Sequence, residues 1–333
     1  MIARWQVNAQ SDARLQVTLQ SQRTLRYTEA DTDGDRPAHV RAASAITRLA
    51  ERWYIVQDDT AFLAMVDAGT VAALPINVPG AGVRQQFSAA LGNKAAKPDF
   101  EACFTVFDAA TGAPQLWVVG SGSTARRRNI AVIDPAAATV VVYDATTLHQ
   151  QIVDDLGHLP NIEGACVRAD VLWLFHRGNT GTTDRGCCAY GWPWPQVQAW
   201  VRGAAAAPGF IAVCTFALGA VQGVPLGITD AAVGPNGHVV VLCAAENSGN
   251  AVDDGAVLGA CMGVLDADAN GRWNGVRLAD LPRDLMGPSA SVKPEGLYID
   301  VAKPDRAYLV ADPDDTEQPA QLSELELVGP WWR

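Results

Sequence analysis

The sequence is short of charge, and the charge it has is mostly acidic. Only 18% of its 333 residues are Asp, Glu, Lys or Arg, and the 36 acidic residues outnumber the 25 basic ones for a formal net charge of −11. Surfaces made to hold nucleic-acid phosphates carry a basic patch that releases counterions, so no nucleic-acid partner is expected. Long apolar runs are missing as well. No stretch reaches the roughly 18 apolar residues that span a bilayer, and the opening MIARWQVNAQ lacks the apolar core of a signal peptide. The expectation is a cytoplasmic protein with no membrane partner. Cysteine is sparse and unpatterned: seven residues, an odd number, with Cys187 and Cys188 adjacent and no CxxC pair. A disulfide framework or a cysteine-rich metal site is therefore not expected. No GxSxG, HExxH or Walker lysine occurs, and GAGVRQ at Gly80 lacks the third glycine of a dinucleotide fingerprint, which counts against the common hydrolase and nucleotide-binding folds.

Apolar residues are plentiful at 49%, and 30 Gly with 19 Pro supply many turns. This is the profile of an all-β protein with a large core. One phrase recurs along the chain. KPDFEAC, a polar turn and QLWVV return as NIEGACV…VLWLF, ITDAAV…HVVVL and KPEGLYI…RAYLV, and more weakly as ASAITR…RWYIV. Aligning the acids Glu101, Glu163, Asp230 and Glu295, with Ser44 in the first copy, gives spacings of 57, 62, 67 and 65 residues. That period suits a four-stranded propeller blade with long loops. Residues 1–333 then form one β-propeller domain with blades starting near 43, 101, 163, 230 and 295. Five blades are favoured.

Taken in order, the short alternating runs Trp5 to Val7, Leu15 to Leu19 and Leu25 to Tyr27 read as strands within an N-terminal segment of residues 1–40. The first blade reads as Ala43 to Leu49, Trp53 to Gln57, Phe62 to Asp67 and Val71 to Val78. In the third, Arg177 to Pro195 is broken by Gly and Pro and reads as a long insertion, either a lid or ordinary surface, before a strand at Val197 to Val201. The fifth blade is one strand short when the chain reaches GPWWR. Leu15 to Leu19 or Leu25 to Tyr27 is expected to complete it and close the ring, unless the N-terminal strands make a sixth blade.

Neighbouring blade strands are antiparallel, so each motif acid and the residues just past the second strand should meet at one mouth of the channel. The latter are Gln57, Asp58 and Asp59; Ser121 and Ser123; His176, Arg177 and Asn179; Glu246 and Asn247; Asp312 and Asp314. Converging carboxylates require cations, protons or hydrogen-bond donors. Ca²⁺ or another divalent cation held by Glu101, Glu163, Asp230 and Glu295 would meet that need. Lys97, Arg177 and Lys293 would neutralise a small anionic ligand, and His176 or Asp58 would serve as base. The plainer alternatives stay open. The acids can fix blade junctions by accepting backbone N–H bonds, the lysines can be ion-paired, and His176 can be structural. The protein would then be a non-enzymatic binding or scaffold propeller with an unknown protein as partner. DADANG at Asp266 to Gly271 begins like a Ca²⁺ loop, but Arg277 stands where its final Glu belongs, and a hairpin turn on the opposite face is favoured.

The runs ASAITR…YIVQDD, LGNKAAKPDFEA, GSGST, NIEGA, LFHRGN, PLGITDAA, KPEGLYID and DPDD together resemble a bacterial family of uncharacterised propeller-like proteins. More distantly, the acid-then-Gly signature is similar to phytase-associated esterase-like propellers and calcium-dependent lactonase propellers. That resemblance implies a divalent cation at the channel and hydrolysis of a phosphoester or lactone. Only Glu163 and Glu295 have the Glu-Gly form; Glu101 and Asp230 precede Ala, and Ser44 replaces the acid.

Overall fold

Strands buried on both faces must feed two cores at once, and the repeats do this by alternation. In Ile162–Arg168, Ala165 enters the core on one side and Cys166 the core on the other. Around Trp117 and Val119 the same occurs, with Leu116 and Val118 facing the opposite way. A computed structural model describes residues 1–29, 36–79, 85–108, 111–137, 139–178, 186–247, 255–286, 292–313 and 315–333. Asn179, Asp314 and the segment beginning at Gly80 lie outside the described residues.

Five four-stranded antiparallel units follow one another along the chain. Sheet 1 is Ala43–Leu49, Arg52–Gln57, Phe62–Val66 and Val71–Pro75; sheet 2 is Phe100–Phe107, Pro114–Gly120, Asn129–Asp134 and Thr139–Asp144. Sheet 3 is Ile162–Arg168, Val171–His176, Cys188–Pro193 and Ala212–Ala217. Sheet 4 is Gly227–Val233, Val239–Asn247, Ala256–Ala267 and Trp273–Asp280. Sheet 5 is Lys293–Ile299, Arg306–Asp312, Gln321–Val328 and, from the other end of the chain, Gln16–Thr24. The first strands pack on one another in a closed cycle from sheet 1 round to sheet 5 and back. A separate hydrophobic cluster fills each of the five gaps between successive sheets. This is a β-propeller, and the expected closure by an N-terminal strand is observed at Gln16–Thr24.

The N-terminal strands form no sheet of their own. Ala3–Ser11 runs parallel to the last strands of both sheet 3 and sheet 4, pairing first with Ala212–Ala217 and then with Val276–Leu278, and so joins those two units. Leu25 and Tyr27 are not in a strand; they enter the cluster between sheets 5 and 1.

Two helices are additions to the expected pattern. α1 (Thr146–Leu156) and α2 (Trp194–Val201) both pack into the gap between sheets 2 and 3. Leu148, Ile152 and Leu156 recur every four residues, a helical stripe. The third sheet corrects the reading of Arg177 to Pro195. Cys188–Pro193 is regular strand, Trp194–Val201 is helix rather than strand, and Ala212–Ala217 is the fourth strand. Gly191 does not break the ladder. A Cβ there would come within 2.9 Å of Trp173, so the glycine leaves room for the indole on the adjoining strand. Pro195 sits in the first turn of α2, where a missing N–H costs nothing. Asp266 to Gly271 is the hairpin between Ala256–Ala267 and Trp273–Asp280, as expected. No helix of the described residues is long and apolar enough to cross a membrane.

Candidate functional site

The first strand of every sheet carries one extra residue relative to its partner. The bulged residues are Ser44, Glu101, Glu163, Thr229 and Glu295. A bulge re-aims a side chain at a sheet end, and here it sends three glutamates to one mouth of the channel. The alignment of Asp230 with these glutamates is one residue out: Thr229 is their counterpart. Asp230 stands in the next register place, occupied elsewhere by Ala45, Ala102, Gly164 and Gly296. Close packing explains the small residues. A Cβ on Gly296 would lie 2.7 Å from Ala45 Cα in the next sheet, and one on Gly164 would lie 3.1 Å from the Asp230 backbone. Asp230 reaches across the junction between sheets 4 and 5, accepting the Ala231 N–H at 2.7 Å on Oδ1 and the Leu297 N–H of sheet 5 at 2.7 Å on Oδ2. It is 1% exposed and does not line the mouth. Burial drives its pKa well above the usual carboxyl range despite those two bonds.

A second ring lies two residues before the bulge: Ala42, Asp99, Asn161, Gly227 and Lys293. All but Gly227 line a cavity of ≈ 260 Å³ at the mouth. Gly227 instead makes space for Arg177, whose Cγ would be 2.5 Å from an added Cβ. Ala42 (φ 48°) and Asp99 (φ 57°) adopt left-handed backbone conformations, the kind of local strain that clusters at functional sites.

Two chains of alternating charge run through this wall. In the first, the Lys97 ammonium bonds Asp58 and lies 2.9 Å from Asp99, whose other oxygen takes Arg127 at 2.9 Å and the Ser121 hydroxyl. In the second, Arg177 Nη1 pairs with Glu163 at 3.0 Å and Glu246 at 2.7 Å, while Lys293 pairs with Glu246 at 3.3 Å and Glu295 at 2.6 Å. Arg41 holds Asp59 at 2.6 Å. Glu101 has no ion-pair partner among the described residues. Eight carboxyl and six basic side chains line the cavity, so protons or other cations must supply part of the balance.

The direction of each pKa follows from that imbalance. Burial, reinforced by Asp58 and Asp99 and opposed by Lys97, drives Glu101 well above the carboxylate range. Burial pushes Glu295 up to about 8 against Lys293, and pushes Asp59 up to about 6 with help from Asp58. Burial likewise raises Glu163 although Arg177 opposes it. For Asp99 and Glu246 the burial penalty is outweighed, by Lys97 with Arg127 and by Lys293 with Arg177 respectively, and both lie below their ordinary values.

A carboxyl raised on folding holds a proton that the unfolded chain, with Glu near 4.3, has released. Its stabilisation is full below the unfolded value and disappears as pH climbs through the folded one. Asp99 and Glu246 act oppositely, losing their contribution as pH falls. We expect unfolding free energy to decline from about pH 5 to about pH 8, on the order of 1 kcal/mol per pH unit for each raised group. Urea titrations across that window measure it, and E295Q should flatten the curve. A profile that is level or rising would contradict the raised carboxyls.

Of the residues singled out from the sequence, Asp58, Lys97, Glu101, Glu163, Arg177, Lys293 and Glu295 come together around the cavity. His176 does not reach it. The ring is 0% exposed, and its Nδ1 accepts the Asn161 N–H at 2.9 Å, while Asn161 Nδ2 donates to Glu163 at 2.7 Å. His176 is thus placed to orient Asn161. Arg41, Asp99 and Asn161 were not singled out. Asp99 and Asn161 had a signal, since they stand two before Glu101 and Glu163 as Lys293 does before Glu295. Arg41 reaches in from a loop, and Arg127 from the 3-10 turn Ala125–Arg127.

The ligand set read from the sequence does not fit a shared metal. Asp230 spends both oxygens on backbone N–H groups, and Glu163 and Glu295 are held by Arg177 and Lys293. Among the described residues, the group with three ligand oxygens mutually within 4.8 Å is Asp58, Asp99 and Glu101. These three fit a hard cation that keeps waters in its remaining positions, although the Lys97 ammonium already bridges two of them.

Several solved propeller-like structures are similar over nearly the whole chain at low identity. Glutaminyl cyclase from Myxococcus xanthus is 10% identical with a TM-score of 0.48, covering 99% of each chain. MPT-4, a mannose phosphorylase from Leishmania mexicana solved with phosphate ion, is 11% identical with a TM-score of 0.44, covering 92% of this chain and 88% of its own. Streptogramin B lyase is 8% identical with a TM-score of 0.39, covering 95% and 100%. No curated protein matches the sequence. A family profile matches residues 39–327, and the chain belongs to that family, the family of unknown function DUF6929.

Proposed function

We propose that the channel mouth binds a small anionic molecule, and that hydrolysis of a phosphoester or lactone is the reaction it serves. One observation carries this reading: Lys97, Arg177 and Lys293 line the same small cavity as Glu101, a carboxyl with no ion-pair partner among the described residues. Each of the three cations is shared by two carboxylates and keeps further N–H groups for a ligand. In this scheme they neutralise the anionic group. Glu101 gives a proton to the leaving oxygen, and Asp58, whose Oδ1 has no hydrogen-bond donor among the described residues, takes one from water. Where a divalent cation takes the place of the Glu101 proton, Asp58, Asp99 and Glu101 would hold it as carboxylates. Such an ion, when bound, polarises a phosphoryl or acyl oxygen.

The test is a thermal melt of chelator-treated protein with Ca²⁺, Mg²⁺ or Mn²⁺, alone and with phosphomonoesters or lactones. A ligand at 100 times its dissociation constant adds about 2.7 kcal/mol. We expect a rise with an anionic compound that E101Q diminishes. No rise with any combination would remove this reading. The Asp230 junction favours a second one, a non-enzymatic propeller whose acids fix sheet contacts, and that protein would show no such rise.

A further inference from the structure

The signs around the cavity are closely interleaved, so an anion or a cation placed there meets like charge as well as opposite charge. An anion near Arg177 faces Glu163 and Glu295 as well, and a cation near Glu101 faces Lys97. A molecule carrying both charges meets no such conflict. Two places in the wall are open to it. Glu101 has no basic partner among the described residues. Arg177, with its side chain 10% exposed, makes both of its ion pairs through Nη1, and no described group accepts from its Nε or Nη2. Asp58 adds a buried oxygen without a donor among the described residues.

The chain itself shows what suits such places. It seats the Lys97 ammonium between Asp58 and Asp99, and the Lys293 ammonium between Glu246 and Glu295. We propose that the ligand of this pocket is a small zwitterion of the α-amino acid kind, its ammonium received by Glu101 and Asp58 and its carboxylate by Arg177. The inference rests on the anion-binding pocket proposed above and names its occupant more closely. A cavity of ≈ 260 Å³ lies below the roughly 300–1,000 Å³ of pockets for drug-sized ligands, which agrees with a molecule this small. The ligand's own ammonium takes the place beside Glu101 and Asp58 that a metal ion would otherwise fill, so binding needs no divalent ion.

The experiment is calorimetric titration of the chelator-treated full chain with each common L-α-amino acid. Whichever binds is repeated as its N-acetyl and carboxamide derivatives, and a phosphomonoester with Ca²⁺ is run in parallel. We expect binding without divalent ion, and about a tenfold or greater loss of affinity when either charge is removed, equivalent to about 1.4 kcal/mol. E101Q should weaken the amino acid by a similar factor, and the derivatives test the point on the unaltered protein should that variant fold poorly. If no amino acid binds up to about 10 mM, or an N-acetyl form binds as well as its parent, the zwitterion is overturned. Phosphomonoester binding in that case preserves the anion pocket, whereas no binding of either kind overturns both.

Discussion

Deleting residues 1–24 should leave a chain that no longer melts cooperatively. Ala3–Ser11 is the strand shared by sheets 3 and 4, and Gln16–Thr24 is the last strand of sheet 5. Val7 is sealed in the core between sheets 3 and 4, where Trp5 meets Trp173 edge-on with ring centroids 6.1 Å apart; Leu15 and Val17 fill the core between sheets 4 and 5. Burial of three such side chains contributes roughly 1.5–3 kcal/mol each, comparable with the whole stability of about 5–15 kcal/mol of a typical domain. The truncation also bares Gln321–Val328 as a sheet edge, a template for association with other chains. The expected readouts are loss of the near-ultraviolet circular dichroism transition and a rise in light scattering. A truncated protein melting within a few degrees of the full chain would show that the ring stands without its N-terminal strands.

The second large effect is expected from Arg177→Met. Removing this guanidinium leaves Glu163 with Asn161 alone among the described residues, and Glu246 with Lys293 at 3.3 Å and the Gly255 N–H at 2.9 Å. Breaking a buried pair from one side costs about 3–5 kcal/mol, because the surviving charge keeps its desolvation penalty. Protonation is the relief open to Glu163, which burial already biases upward, so the loss should shrink toward about pH 5. Urea unfolding at about pH 5 and about pH 7.5 would measure both the cost and its pH dependence. A change below about 0.5 kcal/mol at both values would mean that the pair contributes little, as exposed ion pairs do.

Much of this arrangement can be read along the chain, for physical reasons that also mark where reading stops. Strands such as Pro114–Gly120 and Arg306–Asp312 are legible because a sheet covered on both faces demands continuous β-branched and aromatic residues between turns. The glutamates were found by their recurrence, since each copy must bulge at the same place. Asp230 misled because a charge was aligned with charges. The apolar neighbour is the better guide, for Ile162-Glu163-Gly164 superposes on Ile228-Thr229-Asp230. α2 was hidden by Pro195 within it and Pro193 just before it, and by Val197 and Val201, whose spacing of four suits a helix but whose branching suggests a strand. Which partners pair, such as Arg41 with Asp59 or Arg177 with Glu246, depends on which loops meet across the channel, and spacing along the sequence does not encode that.

The shared strand has a further consequence, in time rather than space. Gln20 bonds Glu326, 306 residues further on. At ribosomal rates of roughly 5–20 residues per second, the segment 16–24 waits on the order of tens of seconds for its partner strand to be made. The waiting segment QVTLQSQRT is polar at most positions, and a polar strand held alone is a poor nucleus for aggregation. Its composition suits a piece made first and used last.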